Sequence, residues 1–207
     1  MSTFITLEGP EGSGKSTQIC RLLKRLKQSG IHAVQTREPG GTAIGDQVRS
    51  ILMDLDNKAM DPTTEILLFS ASRAQHVHEL IKPLLEKGIV VISDRYYHST
   101  LAYQGYGHGL NLETLQLITN FATGGLDPDL VLLLDVPSKA GLQRRRTDGN
   151  WNRLDDYQLA FHQRVRKGYL TMAENDPQHW AIVDASLSLD EVEESIWRVV
   201  SERLGLE

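Results

Sequence analysis

The chain has 207 residues, of which 40% are hydrophobic and 24% are charged, and its formal net charge is −5. This composition is typical of a globular chain with a sizeable core, so we expect one domain over residues 1–207, and the acidic balance argues against partners such as nucleic acid or a membrane surface. No apolar run is long enough to cross a bilayer, the N-terminus lacks a signal peptide, and a single cysteine permits no internal disulfide, which together predict a cytoplasmic protein.

Five short apolar runs predict β-strands, and helical patterns lie between them. In chain order, the runs cover residues 4–8, 33–36, 89–93, 130–134 and 181–183. Near-continuous apolar strands that alternate with helices are typical of a parallel sheet covered on both faces. We therefore predict a three-layer α/β fold with a five-stranded parallel sheet flanked by helices.

Capping residues mark the starts of two helices. Asp61 and Pro62 fit the N-cap and first position of a helix, which Pro83 is expected to bend or restart. Residues 188–191 have the spacing of a capping box, and an apolar helical stripe follows them. Cys20 lies within the first predicted helix, where we expect it to fill the core as a small apolar side chain.

The segment between the first strand and the first helix fits the pattern G-x-x-x-x-G-K-[ST], the phosphate-binding loop. Its glycines let successive main-chain N–H groups point at phosphate oxygens, and the helix N-terminus adds attraction for an anion. Lys15 would reach the β- and γ-phosphates, and the Ser16 hydroxyl would hold magnesium. The predicted ATP-binding residues are Gly9, Pro10, Glu11, Gly12, Ser13, Gly14, Lys15, Ser16 and Thr17.

Polar clusters follow the second and third predicted strands, at the edge where parallel sheets bind ligands. Arg37 and Arg95 could converge on a second phosphate, because a guanidinium fork matches phosphate oxygens. Glu38 could orient Arg37 or join the magnesium shell. Surface salt bridging by the two arginines is the simpler alternative.

Two strand-end carboxylates could hold magnesium together with Ser16. Asp94 ends the third predicted strand, and Asp135 follows the fourth. We favour Asp94, because the neighbouring Arg95 marks its cluster as a phosphate site. A turn cap is the alternative role for Asp94.

The polar segment 143–153 is rich in arginine and follows a short helical pattern. It predicts a mobile lid, about residues 138–153, that closes over phosphates, although a solvated basic loop would look the same. Because the phosphate loop has Ser13 and no arginine, we expect the lid to supply arginines to the transition state. The predicted catalytic residues are Lys15, Arg95, Arg144, Arg146 and Arg153, and the spacing leaves open which of the three consecutive arginines, Arg145 included, reaches the phosphate.

Taken together and in this order, these clusters resemble the thymidylate kinase family. The marks of that family are the phosphate loop, an R-E-P-G-G-T segment, a D-R-Y segment that runs into S-T-x-A-Y-Q-G, and an arginine-rich lid. They occur at residues 9–16, 37–42, 94–105 and 144–153. A loop without arginine and a lid with several is the bacterial type. The resemblance implies a P-loop NTPase fold, a homodimer, and magnesium-dependent transfer of the γ-phosphoryl of ATP to dTMP, giving dTDP for dTTP biosynthesis, de novo and by salvage.

Carried over position by position, the resemblance also implies a dTMP site. Phe69 and Arg73 would share one helix face, the first stacking on thymine and the second donating to its O4. From the residues alone, a core role for Phe69 and a surface role for Arg73 would be the better expectation. The other implied substrate-binding residues are Glu11 at the 3′-hydroxyl, Arg37 and Arg95 at the monophosphate, Tyr103 against the 2′ position, and Glu38, Ser99, Thr100 and Gln104.

Three other functions compete with this interpretation. A kinase of the same architecture could act on another nucleotide or on a deoxynucleoside. A guanine-nucleotide switch usually carries N-K-x-D, and residues 57–60 miss that pattern at the last position. A phosphate-loop module without catalysis would bind ATP and transfer nothing.

Overall fold

The five predicted strands form one parallel sheet in the computed structural model, which describes residues 2–147, 149 and 151–206. The strands lie in the order β2-β3-β1-β4-β5, and every neighbouring pair is parallel. Their bounds are β1 Phe4–Glu8, β2 Ala33–Arg37, β3 Val90–Asp94, β4 Leu130–Asp135 and β5 Trp180–Asp184. All five predicted strands are confirmed to within one residue at each end.

Helices connect the strands. They are α1 Lys15–Gln28, α2 Ala43–Met53, α3 Pro62–His76, α4 Lys82–Glu86, α5 Tyr97–Thr100, α6 Leu112–Thr123, α7 Ser138–Thr147, α8 Leu159–Asn175 and α9 Leu189–Leu204. Two π-helical segments, Val77–Ile81 and Leu101–Gly107, extend α3 and α5, and a 3-10 helix, Arg153–Asp156, precedes α8. Among the described residues, none of these helices combines the length and apolarity that a membrane span requires.

Alternate residues of the strands pack on opposite faces of the sheet, as the two-residue period of a strand requires. Ile5 and Leu7 of β1 pack with buried residues of α1 and α9, whereas Phe4 packs with Tyr96 and with the α3 side of the sheet. Both faces are therefore covered by helices, which explains the near-continuous apolar strands. The three-layer α/β prediction is confirmed.

The predicted helix starts are confirmed, but one core prediction is wrong. The Asp61 side chain accepts a hydrogen bond from Thr63 N, and residues 188–191 form a complete capping box. Near Pro83 the helix changes to π-type hydrogen bonding, which accommodates the N–H that proline lacks. Cys20 is exposed, because it lies on the solvent side of α1.

Register brings the polar strand ends together. Asp94 lies beside Leu7 of β1 on one side and beside Arg37 of β2 on the other. The loops that follow β1, β2 and β3 therefore meet at the carboxyl edge of the sheet, where ligands bind in open α/β folds.

Candidate active site

The phosphate loop curls between β1 and α1 as its sequence pattern predicts. Gly12 and Gly14 have φ of 68° and 86°, a conformation that favours glycine. Gly12 must also lack a side chain, because a Cβ there would overlap the carbonyl oxygen of Gly141 in α7. The loop is thus shaped by glycines at a left-handed turn and at a close approach.

A cleft of about 350 Å³ opens beside this loop. Residues 11–17 line one side of it, and every predicted substrate-binding residue lines the cleft as well, as does Asp94. Residues that are far apart in the sequence, such as Glu11 and Gln104 at a separation of 93 positions, therefore face one space. The structure brings the phosphate loop and the predicted acceptor site together.

Lys15 is buried at the start of α1 and folds back over the loop. Its Nζ donates to Gly9 O (3.1 Å), Pro10 O (3.0 Å) and Ser13 Oγ (3.1 Å). Burial, and then repulsion from Arg95, lowers the pKa of Lys15 to about 8. A bound phosphate would favour the charged lysine and so raise this pKa.

The two predicted magnesium residues touch each other. Ser16 Oγ donates to Asp94 Oδ2 across 2.8 Å. Asp135, the alternative, is instead engaged by Arg166, whose Nε and Nη2 each lie 2.7 Å from a carboxylate oxygen. Hydroxyl and carboxylate oxygens are ligands that Mg²⁺ accepts, and it usually takes only one or two carboxylates beside substrate phosphates. Consistent with this, the described residues contain no cluster of three or more His, Cys, Asp or Glu side chains suited to a metal. The pair fits magnesium.

Arg95 is held in one orientation at the floor of the cleft. Its φ of 72° is unusual for a residue other than glycine, and its main chain is held by Leu7 and Ser93. Such strained backbone is common at functional sites. Its side-chain contacts, all at the cleft floor, are Nη1 to Gly9 O, Ser99 Oγ and Tyr169 Oη (3.2, 3.2 and 3.1 Å) and Nη2 to Glu11 Oε1 and Tyr103 Oη (2.7 and 3.2 Å).

Glu11 is the carboxylate that balances this cation. Its Oε1 accepts from Arg95 and from Tyr103 Oη, each at 2.7 Å. Burial would raise its pKa, but attraction to Arg95 and then to Lys15 lowers it to about 2. Burial opposes the charged form of Arg95, but attraction to Glu11, together with Tyr103, Tyr169 and Glu8, raises its pKa well above the ordinary value. Glu11 is therefore ionised at neutral pH.

A second carboxylate under Arg95, Glu8, was missed in the sequence analysis. It is fully buried and accepts from Tyr96 N (2.7 Å), Ser99 Oγ (2.7 Å) and Tyr169 Oη (2.9 Å). Burial raises its pKa, although Arg95 and these hydrogen bonds oppose the rise. The only signal in the sequence was an acidic residue ending an otherwise apolar strand.

Arg37 and Arg49 line the cleft from β2 and α2. Arg37 is half-exposed, and its Nη2 lies 3.1 Å from Asp46 Oδ1. Arg49, also missed in the sequence analysis, donates through Nη1 to Pro39 O (3.0 Å). Burial, and then repulsion from Arg37, lowers the pKa of Arg49. These cations concentrate positive potential where a second phosphate is expected.

The predicted base pocket is lined by Phe69 and Arg73 of α3 with Thr100 and Gln104. Arg73 is 1% exposed, so the surface role expected from the residues alone is wrong, whereas its role at the base stays a prediction of the resemblance. Its Nε donates to Glu38 Oε2 (2.8 Å), and its Nη1 donates to Thr100 Oγ1 (3.2 Å). Glu38 thus orients Arg73 rather than Arg37, which pairs with Asp46 instead. A place for Glu38 in the magnesium shell stays a prediction.

The arginines of the predicted lid have three different environments. The triplet at 144–146 lies on α7 rather than in a loop, so the loop prediction is wrong for these positions. Arg145 lines the cleft and donates to Asp155 Oδ2 (3.2 Å). Arg144 donates to Ala185 O (2.9 Å) beside the phosphate loop, whereas Arg146 stacks over Trp151 at 5.4 Å from the ring centroid. Asp148 and Asn150, also within the predicted lid, lie outside the described residues.

Arg153 is buried away from the phosphate loop. Its Nη2 pairs with Glu65, and its Nε donates to Leu52 O (3.0 Å). Glu65 also accepts from Gln104 Nε2 (2.5 Å), so it links the predicted lid to the base pocket. Glu65 was not predicted as a site residue, because nothing in the sequence around it indicates that its carboxylate is buried.

Comparison with known proteins identifies the family. The family model described as thymidylate kinase matches residues 7–196. A thymidylate kinase of Thermomicrobium roseum is 50% identical over 203 residues, covering 98% of this chain and 96% of that protein. One from Deinococcus radiodurans is 50% identical over 97% of both chains, and one from Herpetosiphon aurantiacus is 47% identical over 99% of this chain and 97% of that protein. With its loop, acceptor pocket and arginine helix in one cleft, this chain belongs to the thymidylate kinase family.

Proposed function

We propose that this protein transfers the γ-phosphoryl group of ATP to the 5′-phosphate of dTMP, giving dTDP and ADP, a step of dTTP biosynthesis by the de novo and salvage routes. The family membership over nearly the full chain supports the substrates. The observation that carries the mechanism is the single cleft that joins residues 11–17 to the Phe69–Arg73 face. The reaction needs two phosphate groups in line, and one cleft can hold both.

On the donor side, the main chain of residues 9–17 cradles the phosphates of ATP. Lys15 exchanges its three acceptors in the loop for β- and γ-phosphate oxygens. Its positive charge then stabilises the negative charge that develops on these oxygens in the transition state. The predicted lid, residues 138–153, excludes water, which would otherwise compete as the acceptor. Together with this lid, residues 1–207 form one kinase domain.

On the acceptor side, Arg95 and Arg37 hold the 5′-phosphate, with Ser99 beside them, and Arg49 adds positive charge. A phosphate monoester has its second pKa near 6, so its oxygen is already largely ionised at neutral pH. No general base is required. The side chains need only offset the repulsion between two anions and align them.

Magnesium would be held by Ser16 and Asp94, whose oxygens lie 2.8 Å apart. The ion supplies positive charge that neutralises the donor phosphate oxygens as the phosphoryl group moves. The contact between Ser16 and Asp94 supports this part of the proposal.

For the nucleoside, Phe69 stacks on thymine and Arg73 donates to its O4. Thr100 and Gln104 complete the base contacts, and both line the same pocket. Glu11 accepts from the 3′-hydroxyl, while the ring of Tyr103 crowds the 2′ position. The buried carboxylates Glu38 and Glu65 support this arrangement because they fix Arg73 and Gln104.

For the transition state, α7 supplies arginine. Arg145 is the best placed, because it lines the cleft with Lys15 and its charge contributes to the low pKa of Glu11. Arg144 lies beside the loop, where it can contact the donor. Direct roles for Arg146 and Arg153 require the segment to rearrange on nucleotide binding, and they stay predictions of the sequence.

An acceptor panel tests the function. ADP release is followed with ATP, Mg²⁺ and, separately, dTMP, dCMP, AMP and thymidine. We expect dTMP to give the highest kcat/KM. Preference for another acceptor would replace the substrate, and GTP-selective binding without transfer would support a switch. ATP binding without any transfer would support a non-catalytic module.

We also propose a homodimer formed through α3 and α6. Leu67, Leu117 and Phe121 are large apolar side chains that are 56%, 67% and 92% exposed, and the two helices that carry them pack together. Exposed apolar clusters of this kind mark interaction surfaces. Phe121→Lys should shift the mass measured by light scattering from dimer to monomer, whereas a monomeric native protein would refute the dimer. The ATP requirement fits the cytoplasmic location that the sequence predicts.

A further inference from the structure

A buried chain of polar side chains leads from β2 to the base pocket. Glu38 lies at its centre, with its side chain 2% exposed and both carboxylate oxygens engaged. Oε2 accepts from Arg73 Nε (2.8 Å), and Oε1 lies 3.0 Å from His76 Nδ1. One carboxylate therefore joins an arginine that lines the cleft to a histidine that the proposed reaction does not use.

His76 is the last residue of α3 and is fully buried. Because Nδ1 faces a carboxylate, it carries a proton and donates to Glu38. Nε2 lies 2.6 Å from Thr36 Oγ1, so both ring nitrogens are satisfied and the ring is fixed. The histidine is held from both sides.

The loop that carries Glu38 is shaped around this ring. Gly41 has φ of 84°, and a Cβ on it would lie 2.8 Å from His76 Nε2 and 2.7 Å from Thr36 Oγ1. The glycine therefore lets the loop pass directly over the histidine. Gly40 N adds a hydrogen bond to Ser72 Oγ (3.0 Å), which ties the same loop to α3.

Arg73 is the end of the chain that reaches the ligand. It lies three residues before His76, on the same helix face, and its guanidinium lies between Glu38 and Thr100 at the cleft. A buried guanidinium takes the direction that its carboxylate partner dictates, because an unpaired charge there is costly. The direction of Arg73 thus depends on the rotamer of Glu38.

We propose that His76 is a positioning residue for acceptor recognition: it holds Glu38 in the rotamer that aims Arg73 at the pyrimidine base. This inference rests on the proposed function. The chain Thr36–His76–Glu38–Arg73 ends at the base pocket and has no hydrogen bond to residues 9–17 among the described residues. Loss of this hydrogen-bonded chain of side chains should therefore weaken dTMP binding without weakening ATP binding.

The experiment measures KM for dTMP and for ATP, and kcat, in three variants. His76→Leu removes the N–H toward Glu38 and should raise KM for dTMP about tenfold, as loss of a buried hydrogen bond to a charged group does, with KM for ATP unchanged. His76→Asn keeps an N–H near the position of Nδ1 and should stay within about threefold of wild type. His76→Gln directs its amide toward the position of Nε2 and should behave as His76→Leu does, so the test survives if the leucine variant fails to fold.

A double-mutant cycle with Arg73→Met tests the route of the effect. If His76 acts through Arg73, then His76→Leu should change KM for dTMP by less than about twofold in the Arg73→Met background. The matched control is His98→Leu, which removes a buried histidine that packs on Tyr97 and Trp180. It should lower thermal stability and leave KM for dTMP unchanged.

Several outcomes would overturn the proposal. These are equal rises in both KM values, no rescue by His76→Asn relative to His76→Gln, or a full effect of His76→Leu without Arg73. Failure of the proposed function is a separate result, because it would appear as absent dTMP phosphorylation in the unaltered protein.

Discussion

The two sides of the cleft are built by different means. On the proposed donor side, the main chain of residues 9–16 would form the binding surface, and glycine conformation shapes it. On the proposed acceptor side, arginines would do this work, and carboxylates inside the protein hold two of them: Glu11 pairs with Arg95, and Glu38 pairs with Arg73. A main-chain site depends on few side chains, whereas loss of one member of a paired network also disturbs its partners.

We expect the largest effect from Lys15, the one side-chain cation of the donor loop, which otherwise acts through its main chain. Lys15→Ala should lower kcat by at least about a hundredfold, since it removes charge that stabilises the transition state. Circular dichroism should show an unchanged fold, because the variant removes a buried cation and no apolar core. Lys24→Ala, at an exposed position on the same helix, is the control. Undiminished turnover in Lys15→Ala would refute its role.

The next largest effect tests the dependence of the acceptor side on paired charges. Arg95→Met should lower kcat/KM for dTMP by about a hundredfold, because a phosphate fork is lost. It should also destabilise the fold, because Glu11 keeps its mostly buried position without its cation. The control is Arg21→Met, which removes a partly exposed arginine that pairs with Glu193. It should leave kcat/KM unchanged.

The pH dependence of that destabilisation follows from Glu11. Its pKa in the folded protein is about 2, below the ordinary value of 4.5, so its ionised form stabilises the fold above pH 4.5 and this contribution is lost as the pH falls toward 2. The difference in unfolding free energy between wild type and Arg95→Met should therefore shrink below about pH 4.5. Denaturant titrations at pH 7 and pH 3 measure it, and an equal difference at both would contradict the pairing.

The titration of Lys15 on the donor side should change kcat/KM for ATP by about tenfold per pH unit. The pKa of Lys15 is lowered to about 8, so in the free protein the cation loses its proton above that pH. We expect kcat/KM for ATP to fall as the pH rises from 8 to 10. Lys15→Arg keeps its charge throughout this range, so its profile should be flat, although its absolute rate is lower. A fall of the same slope in that variant would assign the titration to another group.

The smallest effect concerns crowding among the acceptor cations. Burial and repulsion from Arg37 and Arg95 lower the pKa of Arg49, so its charge destabilises the folded protein. Arg49→Met should therefore raise the melting temperature slightly and raise KM for dTMP severalfold. Thermal melts and initial rates measure the two changes. A lower melting temperature with an unchanged KM would mean that Arg49 serves packing only.

The same contrast explains what the sequence could predict. The strands and the loop at 9–16 are local patterns, so apolar runs and a motif suffice to find them. Arg73 is different, because its burial depends on Glu38, which is 35 positions earlier in the chain. No periodicity reveals such a pair, and only the family resemblance indicated that Arg73 lines the cleft. Glu8 and Glu65 were missed for the same reason.

The sequence also could not predict which arginine of α7 faces the cleft. Composition indicated cations near the phosphates, and Arg145 lines the cleft. Consecutive arginines on a helix point in directions about 100° apart, so a helix rather than a loop determines which one faces inward. The environments of Arg144, Arg145 and Arg146 follow from that geometry.

The contact between Gly12 and Gly141 limits how the arginine helix can move. Each of these glycines lies so close to the other segment that a methyl group on either would overlap a carbonyl oxygen across the contact. The first turn of α7 and the donor loop are therefore in direct backbone contact at these two glycines, with no side chain between them. Any swing of the arginines must pivot beyond residue 141 or move the loop with it, so the proposed closure of the lid would be coupled mechanically to the loop that is proposed to bind the nucleotide.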